Sequence, residues 1–243
     1  RVTAQLSGAV PERHLWARSY EGDLRDVLSL QGEVAHAIAD EIKANVTPEV
    51  HARLARTRPV NPEAHEAYLR GRYFWNKRTE DGYKKGVGYF EQALERDPAY
   101  ALAYTGLADC YYLLADYRFV PWKEAYPRAK GAATKALELD EALAEAHTSL
   151  AVIKSEYEWD WLGAEREFKR AIELNPNYAT AHHWYSDYLG AMGRHEEAIA
   201  EIKRAQQLDP LSLIINAVAG LRFYWARRYD QAIEQLQKTL EMD

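Results

Sequence analysis

The chain has 243 residues, 47% of them hydrophobic, which suffices for one or two globular domains or one extended array and excludes disorder throughout. Its 31 basic and 37 acidic residues leave a net charge of −6, the wrong sign for a general phosphate-binding surface, so direct nucleic-acid binding is not expected. The lone Cys110 permits no internal disulfide and no cysteine-built zinc site, and no apolar run reaches the roughly 18 residues of a membrane span.

Taken in chain order, RVTAQLSG alternates as a strand does, with Val2, Ala4 and Leu6 on one face. A second strand, His14 to Tyr20, follows a loop holding Gly8 and Pro11, so residues 1–20 are expected to form a hairpin. Val27, Leu30, Val34, Ile38 and Ile42 then recur at helical spacing, with Asp23 or Asp26 as the cap, and Thr47-Pro48 opens another short helix. An isolated hairpin is marginal in water. This one therefore needs further strands, a neighbouring chain or the rest of the molecule. The chain opens at Arg1 inside a strand pattern and stops at Asp243 inside a helical one, so both ends are expected to fall within longer elements.

From residue 61 onward one phrase recurs: Phe90-Glu-Gln-Ala-Leu-Glu-Arg-Asp-Pro98, Phe168-Lys-Arg-Ala-Ile-Glu-Leu-Asn-Pro176, and Ile202-Lys-Arg-Ala-Gln-Gln-Leu-Asp-Pro210. The small residue four positions before each opening apolar residue falls at Gly86, Ala129, Ala164, Ala198 and Ala232, at intervals of 43, 35, 34 and 34. A second small series, Gly71, Ala108, Ala151, Ser186 and Gly220, is expected where paired helices cross, because a larger side chain there would hold the backbones apart.

With these residues in register the chain resembles the tetratricopeptide repeat family, whose sketch is W-x2-L-G-x2-Y, then A-x3-F, then P. Repeat four matches without insertion through His182, Tyr185, Ser186, Leu189, Ala198, Ile202 and Pro210. The other copies depart in places: Lys154 stands where an aromatic is usual, and Glu141 stands in place of proline. The resemblance implies a mainly α fold, a right-handed solenoid of antiparallel helix pairs. Five repeats would occupy 61–243, at about 64–98, 101–141, 144–176, 179–210 and 213–243, after a hairpin-plus-helix segment at 1–58. Each pair must stack on its neighbours to bury its apolar stripe. Between the two helices of repeat two, Asp116 to Pro127 form an insertion rich in Tyr117, Phe119, Trp122 and Tyr126, which either covers the edge of the array or offers an interaction surface. Trp159 and Trp161 in the turn of repeat three allow the same two readings.

Signatures of catalysis are missing: there is no phosphate loop, no G-x-G-x-x-G, no H-E-x-x-H and no G-x-S-x-G. The adjacent His182 and His183 point about 100° apart on a helix and cannot share a metal. His147 and His182 hold equivalent positions in successive repeats, which predicts hydrogen-bonded packing, and Cys110 is expected as a small buried group. No cofactor, no metal and no enzymatic activity are expected.

In the resembled family the first helix of each pair lines a concave face. Carried onto this chain, the positions that point into it are His65, Tyr68, Arg72, Trp75, Thr105 and Asp109 in the first two repeats. Tyr112, Thr148, His183, Asp187 and Tyr224 continue the series. Such a groove implies a protein or peptide ligand of neutral or basic character. The amino-terminal stretches RVTAQLSG, RHLWARSY and DLRDVLSLQGEVAHAIADEI resemble the end of the small α/β domain related to the TolB amino-terminal domain, which precedes such repeats in many bacterial regulators. That resemblance implies an upstream effector: a winged-helix domain, a nucleotide cyclase or a kinase. The expectation is a non-catalytic interaction module of a bacterial signalling or transcriptional regulator. The alternative is an oligomerisation scaffold that forms a homodimer through the hairpin or the terminal repeats. Location is left open between the cytoplasm, slightly favoured, and the periplasmic face of a membrane-anchored regulator.

Overall fold

The computed structural model describes the backbone of residues 2–9 and 12–20, the single residue Val34, and residues 60–242 in full. Statements of number or absence below refer to these residues. The chain divides into two compact units, Arg1–Glu66 and Ala67–Asp243.

In the first unit, β1 (Val2–Ala9) and β2 (Glu12–Tyr20) pair antiparallel, with a register shift between Leu6 and Ser7. Val34 is helical. The remainder of the helix expected over Val27–Ile42 and the one expected after Thr47 lie outside the described residues, as does most of the segment likened to the TolB domain.

Ten helices follow in five pairs. They are α1 (Pro62–Trp75), α2 (Glu80–Arg96), α3 (Ala101–Asp116), α4 (Trp122–Leu139) and α5 (Ala144–Ile153), which continues into a π-helical turn at Lys154–Glu158. Next come α6 (Trp161–Leu174), α7 (Ala179–Ala191), α8 (His195–Leu208), α9 (Leu213–Trp225) and α10 (Tyr229–Leu240). The boundary between the two units falls inside α1.

Local chemistry sets the breaks. Thr79 and Asp160 accept from the backbone of Gly82 and Gly163 and cap α2 and α6. Between pairs, Asp97, Asp140 and Asn175 each accept from the backbone N–H two residues on, at 3.2, 3.0 and 3.2 Å. This Asx turn accounts for the Asp97 and Asn175 that precede proline in the first two phrases. Within each pair the turn uses one residue at positive φ: Arg78, Arg118, Trp159, Gly193 and Arg227. One of the five is glycine.

The helix crossings are tight where the small residues recur. A Cβ on Gly71 would lie 2.5 Å from the Phe90 ring, and one on Gly220 would lie 2.6 Å from Leu236. Ala108, Ala151 and Ser186 are wholly buried. One core runs without interruption from Trp75 to Ala198, joining the first four pairs.

Two expectations need correction. The segment expected as an insertion from Asp116 to Pro127 is mostly helix: α4 begins at Trp122 and carries Pro127 inside it, leaving a turn of Tyr117–Pro121. Pro127, the sixth residue of α4, forfeits the bond that an N–H there would make to the Lys123 carbonyl. The aromatics there follow neither reading alone, since Tyr126 is 7% exposed while Trp122, Tyr117 and Phe119 stay exposed. The departure at Lys154 also has a local role, because its ammonium donates to Glu167 at 2.7 Å.

Candidate functional site

The first helices of the pairs, α1, α3, α5, α7 and α9, carry the residues expected to face a ligand. Trp75, Thr105, Asp109, Thr148 and His183 are buried; Tyr68, Arg72, Tyr112 and Asp187 are half-buried; Tyr224 is exposed. His65 is also half-buried, so five of the eleven expected residues are buried within the array. The ring of Trp75 meets Trp184 edge-on at 6.5 Å, so the first pair touches the fourth, and Tyr112 meets the same indole at 5.3 Å. The guanidinium groups of Arg72 and Arg78 both lie over the Trp75 ring, 4.1 and 3.9 Å from its centre.

A polar chain crosses three of these helices. The Arg72 guanidinium donates to Asp109 at 3.0 Å, and Ser149 donates to the other carboxylate oxygen at 2.6 Å. Burial pushes the Asp109 carboxyl up, while Arg72 and Ser149 favour its charged form. Burial also holds His183 neutral, down to about 3. Farther along, Asp187 pairs with Arg222 at 3.1 Å, and the same guanidinium donates to the Ser186 carbonyl at 3.1 Å. Gly190 makes this reach available, since a Cβ there would lie 2.2 Å from Arg222 Nη1.

His147 and His182 stand where the repeat analysis places them, as packing groups. In each, Nε2 bonds the carbonyl six residues earlier, Glu141 or Pro176, at 3.0 Å. Each Nδ1 bonds a carboxylate of the second helix, Glu167 or Glu201, at 2.6 Å. Both partners of each ring are acceptors. Asn216 repeats the arrangement without charge, donating to the Pro210 carbonyl at 2.9 Å and accepting from Gln206 and Gln235. Glu141 thus supplies the carbonyl that Pro176 and Pro210 supply elsewhere. The bond from His147 holds Glu167 down to about 2, with burial opposing and Lys154 assisting.

Three residues that lie by Tyr112 or Tyr126 are absent from the expected set: Trp184, Glu156 and Tyr157. Trp184 was hidden beside His183. The π turn inserts a residue after Ile153, so straight helical projection points Glu156 and Tyr157 elsewhere. On the other side, a cleft of about 440 Å3 lies among Lys169, Glu173, Tyr185, Arg194 and Glu197. Charges along it already pair through Glu165, which accepts from Arg194 at 2.8 Å and from Lys169 at 2.9 Å. Cys110 is buried and its thiol is pushed up by burial, the wrong direction for a nucleophile. No group of three metal-capable side chains occurs among the described residues, and none of the described helices is long and apolar enough to cross a membrane.

The family model for "Tetratricopeptide repeat" matches residues 167–200. Among curated proteins the chain is 29% identical over 167 residues to "Transcriptional regulator HilA" of Salmonella typhimurium, covering 69% of this chain and 29% of that protein. It is 31% identical over 160 residues to "Putative adenylate cyclase 3" of Rhizobium meliloti, covering 64% of this chain and 27% of that protein. The chain thus spans less than a third of the length of either relative. Among solved structures, a thermophilic TPR protein of Thermus thermophilus superposes with a TM-score of 0.58 at 17% identity, covering 74% of this chain and 91% of that one. This likeness concerns the fold.

Proposed function

Since the helical array is built of tetratricopeptide repeats, we propose that it is a non-catalytic interaction module of a bacterial signalling or transcriptional regulator, and that a partner segment docks along the first helices. The observation that carries this reading is the mixed state of the residues expected to face a ligand. Trp75 and Asp109 join helices and His183 is buried, while Tyr112, Asp187 and Tyr224 keep exposed area beside them. A preformed surface of that kind binds without ordering itself first. The two relatives, named for different outputs, each match about two thirds of this chain, which supports a module used with more than one effector. Peptides selected on the 243-residue chain from a random library test the proposal. Tyr112→Ala and Asp187→Asn are expected to weaken them, with Glu173→Ala on a second helix as the neutral control. Equal loss in the control contradicts docking on the first helices.

A second reading, self-association, draws on the last pair. Leu221, Trp225, Ile233, Leu236 and Leu240 are each exposed on α9 and α10, and exposed apolar side chains in number can mark an interface. Light scattering across a hundredfold dilution decides it: a constant monomer mass removes the reading.

A further inference from the structure

The start of α4 and the π turn after α5 bring together an aromatic ladder that reaches α3 and α7. Tyr157 stacks on Tyr126 with ring centres 5.0 Å apart and planes 5° from parallel, and it meets Trp122 edge-on at 6.0 Å. Tyr126 tilts against Tyr112 at 6.3 Å, and Tyr112 continues inward to Trp184. Trp122, at the outer end, is 53% exposed. The rings are therefore held by one another, with Trp122 exposed, Tyr112 and Tyr157 half-buried and Tyr126 buried.

Two carboxylates flank this ladder. Asp116 ends α3 and Glu156 lies in the π turn; both are exposed, and neither has an ion-pair partner among the described residues. Each carboxyl is pushed up by desolvation, Glu156 further by Asp116, so they are close enough to repel. Asp187 adds to the same field, answered by Arg222 and Arg78. Arg118, two residues past Asp116, is exposed and pairs with neither carboxylate, and two nearby lysines are committed. Lys130 pairs with Glu158, and Lys123 lies 5.2 Å from the centre of the Trp122 ring. That last contact shows that the exposed indole face accepts an ammonium group. Aromatic faces beside uncompensated carboxylates favour a planar or tetrahedral cation carried on an apolar stem, and disfavour an acidic or phosphate-bearing partner.

We propose that the rim formed by Tyr112, Trp122, Tyr126 and Tyr157 with Asp116 and Glu156 is a docking surface for a cationic segment of a partner protein. One Arg or Lys side chain lies between the two carboxylates, with its stem against the rings. This rests on the interaction-module reading and names the chemistry of the partner. The occupant is a basic peptide because the surface is both aromatic and unneutralised; a purely apolar segment would leave Asp116 and Glu156 desolvated without compensation.

The probes are acetyl-Leu-Arg-Leu-Arg-Leu-amide and the same peptide with citrulline for both arginines, titrated into the 243-residue chain by calorimetry and amide-shift mapping. The arginine peptide is expected to bind about tenfold more tightly at low salt, the combined effect of one exposed cation–π contact and one surface ion pair. Its shifts are expected at Asp116, Tyr126 and Tyr157. Asp116→Asn with Glu156→Gln should bring the two affinities to within about twofold while leaving the helical circular dichroism intact. Tyr157→Ala should weaken the arginine peptide with both carboxylates still present. Equal affinities for the two peptides, with shifts on first helices, overturn the cationic rim and leave docking on the array standing. No shifts on any first helix with either peptide overturn both. A preference for arginine that survives the double substitution also overturns the assignment.

Discussion

Repeats four and five share one template displaced by 34 residues, yet equivalent apolar positions end up in opposite surroundings. Ile199 is 4% exposed and its counterpart Ile233 is 56% exposed; Ile202 is fully buried and Leu236 is 36% exposed. Leu189 and Phe223, by contrast, are buried in both. The difference separates two kinds of burial. Leu189 and Phe223 face within their own repeat and the one before it. Ile199 and Ile202 face the next pair, and α9 supplies it with Ile215, Val218 and Ala219 packed against Ile202. The described residues place no such helix beside α10. A solenoid position is therefore made core by its neighbour as much as by its own letter.

The sharpest way to break this comparison is truncation at the paired positions. Ile202→Ala should cost about 3 kcal/mol by removing fully buried methyl groups, and Leu236→Ala about 1 kcal/mol or less. Urea midpoints measure both, and equal losses would mean that α10 is covered in solution. At the crossings, Ala151→Leu should overpack a site with no exposed edge at a cost of about 1–3 kcal/mol. The same change at Gly220 should cost less, because the Leu236 side chain opposite it is partly exposed and can swing outward.

Acid sharpens the contrast between charged and neutral clips. Glu167 titrates near 2 in the folded protein against 4.5 unfolded. Its contribution is therefore fully present above pH 4.5 and is lost as pH falls through 2. Glu167→Gln should flatten the acid limb of the stability curve by on the order of 1 kcal/mol between pH 5 and pH 2. Gln235, the corresponding partner in repeat five, carries no charge, so Gln235→Ala should leave that limb unchanged. A smaller effect is expected from the turns. Gly193 and Arg227 both adopt positive φ, at 75° and 60°, and nothing lies within 4 Å of a Cβ added to Gly193. Gly193→Ala should destabilise and Arg227→Gly should stabilise, each by about 1 kcal/mol, as read from thermal midpoints.

The features legible in the sequence were those that repeat locally. The spacing of Gly86, Ala129, Ala164, Ala198 and Ala232 located the second helices, and all five are buried. The equivalence of His147 and His182 anticipated their hydrogen-bonded packing. Other features depend on how far the array curls. That Trp75 reaches Trp184 is a property of three stacked interfaces, so the burial of Trp75, Asp109 and His183 could not be read from helical projection. Glu156 and Tyr157 were hidden by one extra residue in a π turn, and Arg222 by a reach across to α7 that Gly190 permits.

Hydrogen exchange on the 243-residue chain, with and without a library-selected peptide, tests docking on the first helices most directly. Protection is expected in α3, α5 and α7, strongest near Tyr112, Glu156 and Asp187, with α2, α4 beyond Tyr126, α6 and α8 unchanged. Protection confined to α6 and α8, around the cleft lined by Lys169 and Arg194, would contradict the account.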